Sequence, residues 1–169
     1  DAVEIVREDG EDIGLTMSMV DEAPVIKLVN LIILKAIQLG ASDVHIEPDI
    51  ERVRVRYRVD GMLREVFSPP QRLHPAIMSR IKIMSEMDIA ERRLPQDGRF
   101  QVKMEGRKID IRVSMIPTVL GEKAVMRILD KKQFQLDLAK LGFESRILMD
   151  FEKIIKFPIQ RQNSLKPES

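Results

Sequence analysis

Two hydrophobic rhythms alternate along this chain. Residues 25–39 are apolar on most sides, and only Lys27, Asn30, Lys35 and Gln38 interrupt them. That spacing predicts a largely buried helix. Asp21, Glu22 and Pro24 suit its first turn, and Gly40 suits its end. Alternation with a period of two follows. Residues 43–47 alternate and stop at Pro48, and residues 52–59 alternate strictly. Asp60-Gly61 is a hairpin signal. Residues 62–67 return, and Pro69-Pro70 ends the run. A second helix is predicted over residues 75–90, with Ile77, Ile81 and Met84 on one face. The loop Pro95-Gln96-Asp97-Gly98 leads to strands over 99–104, 108–116 and 122–129, with turns at Glu105-Gly106 and at 117–121. The order is helix, three strands, helix, three strands. It predicts an α+β fold, an antiparallel sheet with its helices packed on it.

The ends carry less pattern. Residues 1–20 read as an acidic leader or linker, and residues 21–134 hold the repeating elements. Residues 135–158 read as a helical linker, with Leu148, Phe151, Ile154 and Ile155 forming an apolar face over 137–157. Residues 159–169 have no core-forming period and read as a disordered or appended tail. The N-terminus has no apolar signal core, and the run Leu31 to Leu34 is far too short to cross a bilayer. A cytoplasmic protein without direct membrane insertion is the expectation. There is no cysteine, which removes disulfides and thiolate metal sites. Net charge is +1, from 28 basic and 27 acidic residues, so any phosphate binding must come from local arrangement.

The most unusual local arrangement is Arg52, Arg54, Arg56 and Arg58. Alternation puts the four guanidinium groups on one face, about 7 Å apart along the strand. Like charges at that spacing repel unless anions lie between them. A solvated face offset by nearby Asp and Glu is one reading; a stripe facing phosphate or a partner is the other. Arg112 shares a strand face with Asp110 and Ser114, whereas Arg127 shares one with Val125 and Leu129. Pairing of either arginine with Asp110 or Glu122 is the structural alternative to a phosphate role. Asp43, His45 and Glu47 are spread over about 13 Å of one strand, too far for a single ion, so no metal site is expected. His74, ahead of Pro75, suits a helix start. No G-x-x-x-x-G-K-[ST] loop occurs, so this stretch of chain has no backbone cradle for phosphates and should not hydrolyse ATP alone.

Seven segments in order resemble the ATPase family that drives type II secretion and type IV pilus assembly. They are Ala23 to Asn30, Ala41 to Pro48, Arg56 to Glu65, Ser79 to Met84, Asp88 to Arg99, Ile109 to Ser114 and Gly121 to Asp130. In that family they make a PAS-like second N-terminal domain, ahead of a RecA-like motor domain that carries the Walker A loop. The resemblance breaks off just after Pro158, before that loop.

The resemblance implies that Arg112 and Arg127 reach the phosphates of ATP held with Mg on the motor domain. It also implies a homo-hexamer, motor-domain contacts from its own and neighbouring subunits, and an inner-membrane platform as partner. For Arg52, Arg54, Arg56 and Arg58 it implies no role as clear, and interdomain or intersubunit contacts are the expectation there. The competing reading is a stand-alone module that binds nucleic acid or another partner through the Arg52 to Arg58 strand. The near-zero net charge and the single aromatic residue in that strand, Tyr57, weigh against it.

Overall fold

The structure is a computed structural model and describes residues 4–6, 24–133 and 136. Strand β1 is Glu4–Val6 and helix α1 is Pro24–Gln38. Strands β2 (Asp43–Pro48), β3 (Val53–Val59) and β4 (Met62–Phe67) form a first meander. A 3-10 turn at Gln71–Leu73 leads into helix α2, His74–Met84. Strands β5 (Gln96–Met104), β6 (Arg107–Thr118) and β7 (Gly121–Leu129) form a second meander. Every pairing is antiparallel, and the sheet order is β1-β5-β6-β7-β2-β3-β4. Each meander is therefore preceded by a helix, and the two join along β2 and β7.

This is the expected α+β architecture, with one addition. The acidic leader supplies β1, which pairs Glu4 with Lys103 and Val6 with Gln101. Three residues have too short a period for a sequence pattern to register. The compact unit ends at Asp130, and Lys131–Gln133 begin a separate helical stretch. The helix expected over 137–157 and the tail expected over 159–169 lie outside the described residues.

The alternation read from the strands separates two faces. Val44, Ile46, Val55, Tyr57, Val102, Ile111, Val113, Ala124 and Met126 are buried beneath the helices. Val29, Ile32, Ile33, Ala36, Ile77, Met78, Ile81 and Met84 come down from α1 and α2 into the same core. The Tyr57 hydroxyl donates to the Ile32 carbonyl at 2.6 Å, tying α1 to the middle of β3. Burial pushes the Tyr57 phenol well above its ordinary value. The β3–β4 and β5–β6 turns take the mirror-image form that suits strand twist. Asp60 and Gly61 have φ of 50° and 79°, and Glu105 and Gly106 have 50° and 76°.

Helix α2 stops six residues before the expected Ala90. Glu86 adopts φ 57°, while Met87 N–H bonds the Lys82 carbonyl at 2.9 Å and Glu86 N–H bonds that of Ile83. This is the double bond pattern that commonly closes a helix on glycine, built here on glutamate, so no glycine marked it in the sequence. The chain then passes close to the sheet. A Cβ at Gly98 would sit 2.4 Å from the Ser85 carbonyl oxygen, so only glycine lets β5 approach the end of α2. Strand β5 consequently begins at Gln96, inside the segment read as a loop.

One buried ion pair locks these pieces together. Lys82 Nζ lies 2.9 Å from Glu122 Oε1, with only 1% of the lysine side chain exposed. Lys82 also donates to the Glu91 carbonyl, and His74 Nε2 bonds the Glu122 carbonyl at 2.7 Å. Helix α2, the start of β7 and the 88–96 segment thus share one polar knot. Removing one partner of such a pair strands the other charge in the core. Lys82→Ala should cost about 3–5 kcal/mol of stability, read from a denaturant midpoint. Lys82→Met with Glu122→Leu should recover most of it, because the stranded charge is gone.

Candidate functional site

The second sheet face is polar, and its two halves handle charge differently. On β2, β3 and β4 every arginine of the alternating strand meets an acid. Arg52 lies 2.8 Å from Glu65, and Arg54 lies 2.8 Å from Asp49 and 3.7 Å from Glu65. Arg56 pairs with Glu47, and Arg58 lies 3.6 Å from Asp43. Arg58 also donates to the Gly61 carbonyl at 3.0 Å, and Arg52 to the Ser68 hydroxyl at 3.1 Å. Asp43 and Glu47 stand on the neighbouring strand because the register sets them opposite Arg58 and Arg54. The stripe is thus a braced, half-exposed ion-pair ladder. Individually such pairs contribute little, but together they relieve the repulsion that four aligned guanidinium groups would create.

Asp43, His45 and Glu47 belong to this ladder. Glu47 lies 3.5 Å from Lys123 as well as pairing with Arg56. Burial pushes its carboxyl up, but the Arg56 hydrogen bond and the Lys123 and Arg56 charges outweigh it and hold it below its ordinary value. His45 is lowered by burial first, then by the Lys123 and Arg56 charges, against the opposing pull of Glu47 and Asp43. His74 sits in the first turn of α2, with its ring against Gly121.

On β5, β6 and β7 the arrangement is different. Arg112 is directly opposite Arg127 on β7, and Arg127 is directly opposite Asp43 on β2. On its other side Arg112 is directly opposite Arg99 on β5. Three arginines therefore stand side by side across three strands, all exposed. Cross-strand neighbours on one face are about 5 Å apart, and like charges so placed are unfavourable. Arg127 Nε lies 3.3 Å from Asp43 Oδ1, yet 69% of the Arg127 side chain is exposed. Among the described residues no carboxylate lies within ion-pair distance of Arg112.

The acids that offered a structural alternative are used elsewhere. Asp110 accepts from the Gln101 amide at 2.7 Å, and Glu122 is buried with Lys82. Asp43, which partners Arg127, was not among the acids weighed for it, since β2 and β7 lie far apart in the chain. Pairing with Asp110 or Glu122 is thereby corrected for both arginines. Val125 and Leu129, which looked like an apolar surround for Arg127, lie on the outer face instead. Sequence reasoning did not single out Arg99. Its place in the row follows from the β5–β6 register, which a pattern of single residues does not specify.

The relatives of this chain are informative at this point. A family model described as Type II/IV secretion system protein matches residues 18–161. The chain is 52% identical over 159 residues to a type IV pilus assembly ATPase PilB of Myxococcus xanthus, covering 94% of this chain and 28% of that protein. It is 51% identical over 148 residues to a type II secretion system protein E of Xanthomonas campestris, covering 88% of this chain and 26% of that protein. It is 47% identical over 138 residues to a type II secretion system ATPase E of Vibrio cholerae, covering 82% of this chain and 27% of that protein. The chain belongs to the type II/IV secretion system protein family. It spans little more than a quarter of the length of these relatives.

The ladder carries a pH signature. The folded Glu47 carboxyl titrates below its ordinary 4.5, so its contribution is complete above that value and is lost as pH falls through the folded one. Folded His45 titrates below its ordinary 6.5, so the unfolded chain binds more protons and stability falls as pH drops below 6.5. Denaturant midpoints across this range should decline towards acid. His45→Gln should flatten the upper part of that decline, and Glu47→Gln the lower.

Proposed function

We propose that this chain is a nucleotide-sensing and ring-packing N-terminal domain of a hexameric secretion or pilus assembly ATPase. In this reading Arg112 and Arg127 reach the terminal phosphates of ATP held with Mg on a motor domain. The observation that carries it is the pair itself. Two exposed guanidinium groups stand in register on adjacent strands, and Arg112 lacks a carboxylate partner among the described residues.

The physical case is one of stored repulsion and release. Arg112 and Arg127 are held close by the sheet, and Asp43 offsets charge at only one end. A polyanion brought to this face removes the repulsion and gains bidentate hydrogen bonds from fixed planar forks. Charge developing on a transferred phosphoryl group would be offset by donors that need no rearrangement. Loss of the terminal phosphate would remove the attraction, so the domain would favour one position with triphosphate present and another without it. Repeated around a ring, that difference would move the domain relative to its neighbours. In the same reading the ladder from Arg52 to Arg58 supplies a rigid wall for interdomain or intersubunit packing. The whole assembly would act in the cytoplasm against an inner-membrane platform.

The competing nucleic-acid module is disfavoured by the ladder. Its four arginines already pair with Glu65, Asp49, Glu47 and Asp43, so their charge is offset before a phosphate backbone arrives.

The test is Arg112→Ala and Arg127→Ala in the full-length protein. Each should lower the ATPase kcat by on the order of 10³ while leaving thermal stability unchanged, since both side chains are exposed. Near-wild-type rates in both variants would remove the phosphate role.

A further inference from the structure

We infer that Asp43 is a positioning residue: its carboxylate holds the Arg127 guanidinium by one edge, at Nε, and so aims the two terminal nitrogens of the fork at the nucleotide phosphates. The inference rests on the reading above and adds to it the residue that orients one of its two arginines.

The contact is one-sided. Arg127 Nε donates to Asp43 Oδ1 at 3.3 Å. Among the described residues Asp43 is the one partner Arg127 has. A guanidinium carries five N–H donors, and Nε supplies a single one of them. The other four, on Nη1 and Nη2, are left for an outside acceptor, which is what bidentate phosphate recognition needs. With 69% of the Arg127 side chain exposed, packing alone would let the fork sample many rotamers. An exposed pair of this kind adds little stability, so orientation is what the contact contributes.

The carboxylate is the fixed member of the pair. Only 13% of the Asp43 side chain is exposed, and its two oxygens serve different strands. Oδ1 takes Arg127 on β7, while Oδ2 accepts the Ser42 hydroxyl at 2.8 Å and lies 3.6 Å from Arg58 Nε on β3. The backbone just before it is pinned on both sides. Ser42 N–H bonds the Arg58 carbonyl at 2.9 Å, and Ile128 N–H bonds the Ser42 carbonyl at 2.9 Å. Register sets Asp43 directly opposite both arginines. One carboxylate thus ties the braced ladder to Arg127 and sets the direction of its fork before an anion arrives. Arg112 has no carboxylate within ion-pair distance among the described residues, so the loss of Asp43 should act through Arg127.

The experiment is steady-state ATPase kinetics of the full-length protein carrying Asp43→Ala or Asp43→Asn, each alone and combined with Arg127→Ala, beside Arg112→Ala. Asp43→Ala should lower kcat on the order of tenfold, since misplacing a group at the chemistry can cost about 10²-fold. KM for ATP should stay level or fall, because the change removes a negative charge beside the phosphates. Asp43→Asn keeps the shape and an oxygen that accepts from Nε, so it should lose less, though more than about twofold. It carries the test if the alanine variant folds poorly. In the Arg127→Ala background neither substitution should lower kcat further, because the fork it aims is gone. If both Asp43 variants stay within about twofold of wild type while Arg127→Ala collapses, the inference fails and the two-arginine reading stands. Losses that multiply with that of Arg127→Ala would show Asp43 acting elsewhere and overturn the inference. If Arg112→Ala and Arg127→Ala both turn over at wild-type rates, the two-arginine reading has failed and the inference falls with it. A kcat loss confined to variants with a lowered Tm would assign Asp43 a folding role and overturn the inference.

Discussion

The antiparallel register of β5, β6 and β7 is the constraint from which the rest of this face follows. Arg99, Arg112 and Arg127 come from distant parts of the chain, yet each is directly opposite the next. A slip of one residue in either pairing would turn a whole strand over and send its arginine into the core. The tight Glu105-Gly106 turn holds one pairing. The Thr118 hydroxyl, donating to the Gly121 carbonyl at 2.5 Å, steadies the other. Buried Ile109, Ile111, Val113 and Met115 on β6 make any slip costly, since they would all move to solvent together. The arginine face is therefore specified by the hydrophobic face behind it.

The polar knot around Lys82 works on the same geometry from below. Strand β7 is anchored where Glu122 meets Lys82, five residues before Arg127. Segment 88–96 is anchored by the same ammonium group through the Glu91 carbonyl, and it leads directly into β5. Glu91 in turn accepts the N–H groups of Arg93 and Leu94, contacts that hold its carboxyl below its ordinary value. Two of the three strands that carry the arginine row are thus positioned from one buried charge. A hydrophobic pair in that place could fill the volume, but it would leave the Glu91 carbonyl with only the longer bond from the Gln96 amide, at 3.3 Å.

Much of this was legible in the sequence, and the limits were physical. The strict alternation of residues 52–59 and the Asp60-Gly61 signal gave β3, β4 and their turn almost to the residue. Gly40, with φ 66°, ended α1 as its type suggests. The end of α2 was not legible, because Glu86 took the left-handed position that glycine usually marks. Period set Arg112 beside Asp110 and Ser114 on a polar face, whereas Arg127 shared its face with Val125 and Leu129, so only the resemblance gave it an outward role. Their partners were not legible, because Asp43 reaches Arg127 across a pairing of β2 with β7 that links the two ends of the fold. Lys82 lay in a helix read only for its apolar side, so nothing distinguished a buried lysine from an exposed one. Arg99 was hidden for the complementary reason: a residue's cross-strand neighbour is a property of register.

The contrast between the two halves of the polar face bears on how such a domain can work. A sheet surface rich in arginine must either carry its own counter-charge or borrow one. The β2–β3–β4 half carries its own, in Asp43, Glu47, Asp49 and Glu65. It is therefore insensitive to whatever approaches, which suits a wall. On the β5–β6–β7 half Asp97 and Asp110 serve Ser114 and Gln101, and Arg112 has no carboxylate within ion-pair distance among the described residues. In the proposed reading an outside anion would supply that missing charge, and such a dependence would let a domain respond to the charge of a neighbour's ligand. Arginine on strands suits this better than lysine on loops. The fork keeps its charge at every physiological pH, and the sheet keeps the forks aligned before the anion arrives.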